Sequence, residues 1–143
     1  MSEERVATVR PVDEHEATGA VAAIFADIKR TKNIDFVPAI WRTLATNPVQ
    51  LGVVWSSLKQ LMHPEAVGRA SRLDPRTREL IALVVSATNG CAYCINSHTA
   101  ALRKLGVDQE TLGEIMAIVG LFNMTNALAN GYQVEPDVRP RVD

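Results

Sequence analysis

Helix start and stop signals recur along this chain at intervals that suit helices. Asn47-Pro48 and Asp74-Pro75 each combine an N-cap residue with a proline at the first helical position. Gly90 follows an asparagine and supplies a stop signal at the end of the helix that Asp74 begins. Apolar residues between these signals recur at three- and four-residue spacing, which is typical of amphipathic helices. The chain is therefore predicted to be all-α.

Counting these segments predicts about six helices in a single-domain bundle over residues 1–143. Residues 1–12 are expected to form an extended arm, and Asp13 with Glu16 resembles a capping box that begins the first helix. Asp108 caps the last helix, which is apolar on nearly all sides. A terminal helix without a polar face is usually covered on both sides, so we expect another subunit to pack against it.

Composition and charge exclude several classes of protein. The chain has 143 residues, 47% hydrophobic and 22% charged, with a formal net charge of −1. These values are ordinary for one globular domain and give no general attraction to nucleic acid. The longest aliphatic run, residues 81–85, is far too short to span a membrane. The charged N-terminal sequence "MSEERVATVRPVDEHE" lacks a secretory signal, so a cytoplasmic protein is expected, without nucleic-acid or membrane partners.

The only two cysteines lie close to a histidine in the segment "CAYCINSH". If this segment is helical, Cys91, Cys94 and His98 occupy positions i, i+3 and i+7 and share one face. The preceding helix should return antiparallel through the turn at Gly90. Counting back from that turn places Glu79 beside His98, so two thiols, an imidazole and a carboxylate are predicted to converge between two helices.

These residue types at this spacing suit thiol chemistry. The start of a helix favours a thiolate, and the pKa of a thiol in a Cys-x-x-Cys pair can fall from ~8.5 to ~7 or below. His98 can move a proton to or from a thiol or a substrate, while Glu79 orients the imidazole. A second thiol one turn away can close a disulfide after the first is oxidised.

Other interpretations of the same residues stay open at this point. Cys91, Cys94 and His98 could be zinc ligands with Glu79 or His63 as a fourth, although structural zinc sites usually take ligands from two separated pairs. The cysteines could also be small buried residues, and His98 a hydrogen-bonded core residue. A non-enzymatic redox-responsive or zinc-binding assembly protein is the corresponding hypothesis.

The segment "RELIALVVSATNGCAYCINSHTAALRKLGV", within residues 74–107, resembles the AhpD-like alkylhydroperoxidase branch of the carboxymuconolactone decarboxylase superfamily. The shared pattern is Glu79, eleven residues, Cys91-x-x-Cys94, three residues and His98. Some members carry a histidine directly before the second cysteine, where this chain has Tyr93.

The resemblance implies an all-helical fold that assembles as trimers or hexamers, with the site near subunit contacts. It also implies reduction of hydrogen peroxide or organic hydroperoxides, with Cys94 as the peroxidatic thiol, Cys91 as the resolving thiol, and His98 and Glu79 in a proton relay. An external dithiol, such as a lipoylated or thioredoxin-like protein, would reduce the disulfide. No metal or other cofactor is expected. An alternative within the superfamily is a lactone decarboxylase, in which His98 and Glu79 act and the cysteines are incidental.

Overall fold

The computed structural model describes residues 8–143, and these residues contain six α-helices and no β-strand. The all-α prediction is confirmed. The chain divides into two compact units, one that ends at Arg72 and one that runs from Leu73 to Asp143. The prediction that they form a single domain stays a prediction. Residues 1–7 of the predicted arm lie outside the described residues, and residues 8–12 form no helix or strand.

The first unit contains three helices and a short 3-10 turn. Their bounds are α1 (Gly19–Lys32), α2 (Ala39–Leu44) and α3 (Pro48–Met62), followed by the turn Pro64–Val67. Asn47 caps α3 as predicted, since its side chain accepts a hydrogen bond from the Gln50 N–H.

The predicted capping box at the start of α1 is wrong. The helix begins at Gly19 after Thr18, whereas Asp13 forms a separate turn in which its side chain accepts from the His15 N–H. Glu14 accepts a hydrogen bond from the Val37 N–H at 2.9 Å. These carboxylates therefore organise the segment before the helix instead of its first turn.

The core of the first unit centres on two tryptophans. Trp41 and Trp55 are both 4% exposed, and their rings meet edge to face with centroids 5.2 Å apart. Such aromatic pairs add about 0.5–1.5 kcal/mol beyond the apolar area that they bury. The other buried hydrophobic residues of this cluster are Phe25, Ile28, Val37, Ala45 and Leu51.

A charged cluster joins α1 to α3 beside this core. Trp55 Nε1 donates to Asp27 Oδ2 at 2.7 Å, and Lys59 Nζ donates to both carboxylate oxygens at 3.0 and 2.9 Å. Arg30 also donates to Asp27. Burial alone would raise the pKa of Asp27, but the hydrogen bonds from Trp55 and Lys59 and the neighbouring positive charges lower it overall. The ionised carboxylate is thus the form that the fold stabilises.

The second unit contains α4 (Pro75–Asn89), α5 (Ala92–Lys104) and α6 (Gln109–Gly131). Its helix starts follow the sequence signals, because Asp74 and Asp108 cap α4 and α6 through hydrogen bonds from the Thr77 and Thr111 N–H groups. The buried core is small and lies mainly between α4 and α5. Its fully buried hydrophobic residues are Leu83, Leu102 and Val107.

Helix α6 has no buried residue along its 23 positions. Many of its large apolar side chains are half exposed, for example Leu121 at 49% and Phe122 at 55%. Among the described helices it is the one whose length and composition would allow it to cross a membrane. A single such helix is weak evidence for a span, since core helices of soluble proteins meet the same criterion.

We predict that Asp27→Asn lowers the free energy of unfolding by roughly 1–3 kcal/mol near neutral pH, because Lys59 loses its charged acceptor. The folded-state pKa of Asp27 lies below the ordinary value of 3.8. The contribution of the carboxylate is therefore complete above pH 3.8 and is lost as the pH falls through the folded-state pKa.

Denaturant unfolding at several pH values measures this effect. The difference between wild type and Asp27→Asn should shrink as the solution is acidified below pH 3.8. Asp35→Asn, at an exposed loop position, is the matched control and should change stability by less than ~0.5 kcal/mol. A difference that stays constant across the acid range would contradict the prediction.

Candidate functional site

The site is built on the reversal of the chain between α4 and α5. Gly90 ends α4 with φ +73°, a left-handed conformation that residues with a Cβ atom adopt at a cost. Its N–H and that of Cys91 bond back to carbonyls of the last turn of α4, with Cys91 N–H to Ser86 O at 3.0 Å. Helix α5 then begins at Ala92 and packs antiparallel against α4.

The two cysteines occupy the first turn of α5. Cys91 is the N-cap residue, and its Sγ accepts a hydrogen bond from the Cys94 N–H at 3.3 Å. The two sulfur atoms are joined in a disulfide, with the Cα atoms 5.3 Å apart. A position that oxygen-bearing side chains normally hold is thus occupied by a sulfur. Both sulfurs lie at the positive end of the α5 dipole.

The imidazole and the carboxylate meet between α4 and α5. His98 Nδ1 lies 2.7 Å from Glu79 Oε2, and the two side chains are 24% and 17% exposed. With Glu79 ionised, Nδ1 carries the hydrogen and donates it, which leaves Nε2 of a neutral ring as a proton acceptor. Since His98 follows Cys94 by one helical turn on the same face, Nε2 can serve the thiol side of the pair.

All four predicted site residues lie in the second unit, and the structure brings them together as two pairs. One pair is the disulfide Cys91–Cys94 and the other is the hydrogen-bonded Glu79–His98. Beneath them, Leu83 of α4 packs in the buried core between the two helices. This packing fixes the spacing of the helices and so positions the polar groups above it.

Among residues 8–143, no group of three or more His, Cys, Asp and Glu side chains is arranged to hold a metal ion. Cys91 and Cys94 are bonded to each other, so neither presents a thiolate, the form of sulfur that binds metals. His63 lies in the first unit, beside Glu65.

An apolar groove of about 650 Å³ lies between α4 and α6. On α4 it is lined by Leu80, Val84 and Thr88, which follow at four-residue spacing, and by Val85 and Asn89. The groove therefore reaches the last residue of α4 before the turn that leads to the cysteines.

Asn123 and Asn126 of α6 line this groove. The Asn123 side-chain amide donates to the Val119 carbonyl at 2.9 Å and lies 3.4 Å from Thr88 Oγ1. This contact joins α6 to the end of α4 that precedes the cysteines. Periodicity on one helix could not reveal it, because its partner is 35 residues away.

Comparison with known proteins places the site in a family context. The sequence model of the Carboxymuconolactone decarboxylase family matches residues 60–134, which include all four site residues. The crystal structure of an alkylhydroperoxidase AhpD core from Rhodospirillum rubrum is similar to this chain, with 44% identity and a TM-score of 0.82. The similarity covers 93% of this chain and 96% of that one.

Curated relatives match in part. An (R)-2-haloacid dehalogenase of Pseudomonas putida is 30% identical over 78% of this chain and 35% of its own length. The alkyl hydroperoxide reductase AhpD of Solibacter usitatus is 31% identical over 68% of this chain and 50% of its own length. The corresponding AhpD of Streptomyces griseus is 49% identical over 30% of this chain and 24% of its own length. The chain thus spans half or less of the length of these curated relatives.

Proposed function

The chain belongs to the AhpD-like branch of the carboxymuconolactone decarboxylase family, and on that premise we propose that it is a thiol-dependent peroxidase. The substrates would be hydrogen peroxide or small organic hydroperoxides. The observation that carries this proposal is the disulfide Cys91–Cys94 at the start of α5, next to the Glu79–His98 pair. Dithiol, imidazole and carboxylate together supply a nucleophile, a resolving group and a route for protons.

The proposed cycle begins with the reduced pair. The Cys94 thiolate attacks one oxygen of the peroxide, the O–O bond breaks, and a proton delivered through His98 releases the alcohol or water. Cys94 is left as a sulfenic acid. The Cys91 thiol then displaces water from that sulfur and closes the disulfide seen in the structure. Each cycle consumes two electrons, both from the thiols.

An external dithiol would return the pair to the reduced state by thiol–disulfide exchange. A lipoylated or thioredoxin-like protein is the class of reductant that fits this step, and the cycle requires no metal or other cofactor. A reducing compartment such as the cytoplasm would keep the pair available between cycles. The sulfurs lie in the first turn of α5, where Ala92 and Tyr93 are exposed. A partner could therefore approach along the start of this helix.

We also propose that the protein works as a homo-oligomer, a trimer or hexamer, in which another copy covers α6. The support is the absence of buried residues on this helix together with the groove of about 650 Å³ beside it. Leaving such a surface in water would be costly, since burial of apolar area is worth roughly 25 cal/mol per Å². Helix α6 of a second copy would present an apolar surface of the same kind and could cover it.

The first prediction for the reaction concerns the thiols. Cys94→Ser should reduce peroxide consumption to the background rate, because the serine hydroxyl has no accessible anion at neutral pH. Cys91→Ser should consume about one peroxide per chain and then stop, since no thiol remains to close the disulfide. Stopped-flow peroxide consumption with a thiol count before and after measures both. Consumption by Cys94→Ser at the wild-type rate would overturn the proposal.

The second prediction concerns the carboxylate. Glu79→Gln keeps a hydrogen-bond acceptor for His98 but replaces a charged partner by a neutral one that holds the imidazole more weakly, so the peroxide rate should fall by roughly 10- to 100-fold. Glu79→Asp should recover part of the loss. The control Glu114→Gln changes an exposed charge on α6 and should leave the rate unchanged. Equal rates for wild type and Glu79→Gln, with equal thermal stability, would refute the role given to Glu79.

The third prediction concerns assembly. Light scattering should give a mass of three or six times the chain mass of 15.6 kDa. Leu121→Lys, on the exposed apolar surface of α6, should dissociate the assembly because a charge would be buried at the contact. Val142→Lys, at a tail position that is 99% exposed, is the matched control and should leave the mass unchanged. A wild-type protein of 15.6 kDa would contradict the assembly proposal.

A further inference from the structure

The segment that forms the thiol site contains no ionic side chain other than a histidine. From Leu80 to Leu102, across most of α4 and α5, the sequence has no Asp, Glu, Lys or Arg. Helix α6 is similar, since residues 115–134 also lack all four of these types. Such runs are unusual in a chain that is 22% charged. The charges of the second unit must therefore be concentrated elsewhere.

The fold separates charged from uncharged residues between the two ends of the second unit. Helices α4 and α5 are antiparallel, and the Asn123–Thr88 contact places the second half of α6 beside the last turn of α4. The turn at Gly90 therefore lies at an end whose polar groups are neutral amides and hydroxyls. Its exposed members are Thr88, Asn89, Tyr93, Asn96, Ser97, Asn123 and Asn126.

The charged residues of the three helices and their caps lie toward the opposite end, where α4 begins, α5 ends and α6 begins. Arg76 lies close enough to Asp108 to help lower the pKa of that carboxyl, after the hydrogen bonds from Thr111. The Arg78 guanidinium donates to the Leu73 carbonyl at 2.7 Å, which holds it at the start of α4. The remaining charged groups at this end are Asp74, Arg103, Lys104, Glu110 and Glu114, whereas Glu79, about one turn into α4, reaches the site through its hydrogen bond with His98.

The C-terminal tail adds no net positive charge. It begins after Gly131, at the end of α6 that lies beyond the Asn123–Thr88 contact. Its charged residues are three acids and two arginines, a net charge of −1: Glu135, Asp137, Arg139, Arg141 and Asp143. The tail therefore supplies no excess of cations at this end of the second unit.

This distribution determines which charges an incoming peroxide meets within the second unit. The reduced site holds a thiolate and the Glu79 carboxylate, and His98 is the one cationic group that the segment 80–102 can supply. Even an imidazolium at His98 offsets only the charge of Glu79, so the site stays negative by the charge of the thiolate. A second anion brought by the substrate would be repelled, and the segment 80–102 has no arginine or lysine to offset the repulsion.

We infer that the thiol site discriminates by charge and takes uncharged hydroperoxides in preference to those that carry a carboxylate. This inference rests on the proposed peroxidase function and adds a substrate class to it. The reaction is the same for both classes: the thiolate forms an S–O bond, the O–O bond breaks, and a proton converts the leaving oxygen into an alcohol. Only the approach of the substrate differs, so the effect belongs to the rate of the first step.

A matched pair of substrates tests the inference. The probes are a tertiary alkyl hydroperoxide that carries a carboxylate and the methyl ester of the same compound, each mixed with the fully reduced protein in a stopped-flow instrument. At about 10 mM salt we expect the ester to react roughly fivefold faster or more, and the difference to shrink toward 1 M salt, where screening extends over only ~3 Å. The rate with the ester should change little with salt.

The second measurement uses a variant with a positive charge near the turn at Gly90. Ser97 is exposed and follows Cys94 by three residues, so Ser97→Lys puts a cation about one helical turn from the sulfur. At low salt, this variant should raise by several-fold the ratio of the rate with the carboxylate-bearing hydroperoxide to the rate with its methyl ester. Taking the ratio cancels any change in the intrinsic reactivity of the thiol. Gln109→Lys, at the exposed start of α6, is the control and should leave the ratio unchanged.

The outcomes separate this inference from the proposed function. Consumption of neither peroxide by the reduced protein would overturn the peroxidase proposal and this inference with it. Equal rates with the carboxylate-bearing hydroperoxide and with its methyl ester would overturn the charge selection alone. So would a faster reaction of the carboxylate-bearing hydroperoxide whose rate falls as salt is added. The latter result would show that a cation from elsewhere in the assembled protein reaches the sulfurs.

Discussion

The reversal of the chain at Gly90 controls the geometry of the whole candidate site. A left-handed residue at the end of α4 lets the N–H groups of Gly90 and Cys91 bond back to α4, and so α5 starts within two residues of the end of α4. The tight connection fixes the register of the two helices. That register places His98 beside Glu79, although 19 residues separate them in the sequence. A longer connection would leave both helices intact and would still lose this contact.

Much of the second unit was predictable because its determinants are local. Each of these signals depends on residues no more than four positions apart. They are the caps at Asp74 and Asp108, the helix end at Gly90, and the one-turn spacing of Cys91 and Cys94. The Glu79–His98 contact needed one further step, the assumption of an antiparallel return through a tight turn. The proposed reaction depends on the resemblance to a family, since spacing alone left zinc binding and acid–base chemistry open.

The first unit was less predictable because its key contacts join distant segments. The Asp27 carboxylate binds Trp55 and Lys59, which lie 28 and 32 residues further along the chain. Nothing in the sequence of α1 distinguishes Asp27 from an ordinary surface acid. The capping-box prediction failed for a related reason. Asp13 and Glu16 have the right types and spacing, but hydrogen bonding within the preceding turn and the contact of Glu14 with Val37 determine where the chain enters α1.

The N-cap role of Cys91 links the fold of α5 to the redox state of the pair. In the disulfide form its sulfur accepts the Cys94 N–H at 3.3 Å. A thiol or thiolate sulfur at the same position can accept the same bond, and the thiolate accepts it more strongly because it carries the charge. The start of α5 therefore needs no rearrangement when the pair is reduced. Cys91 thus offers an N-cap acceptor in either oxidation state, which is consistent with α4 and α5 keeping their register through the proposed cycle.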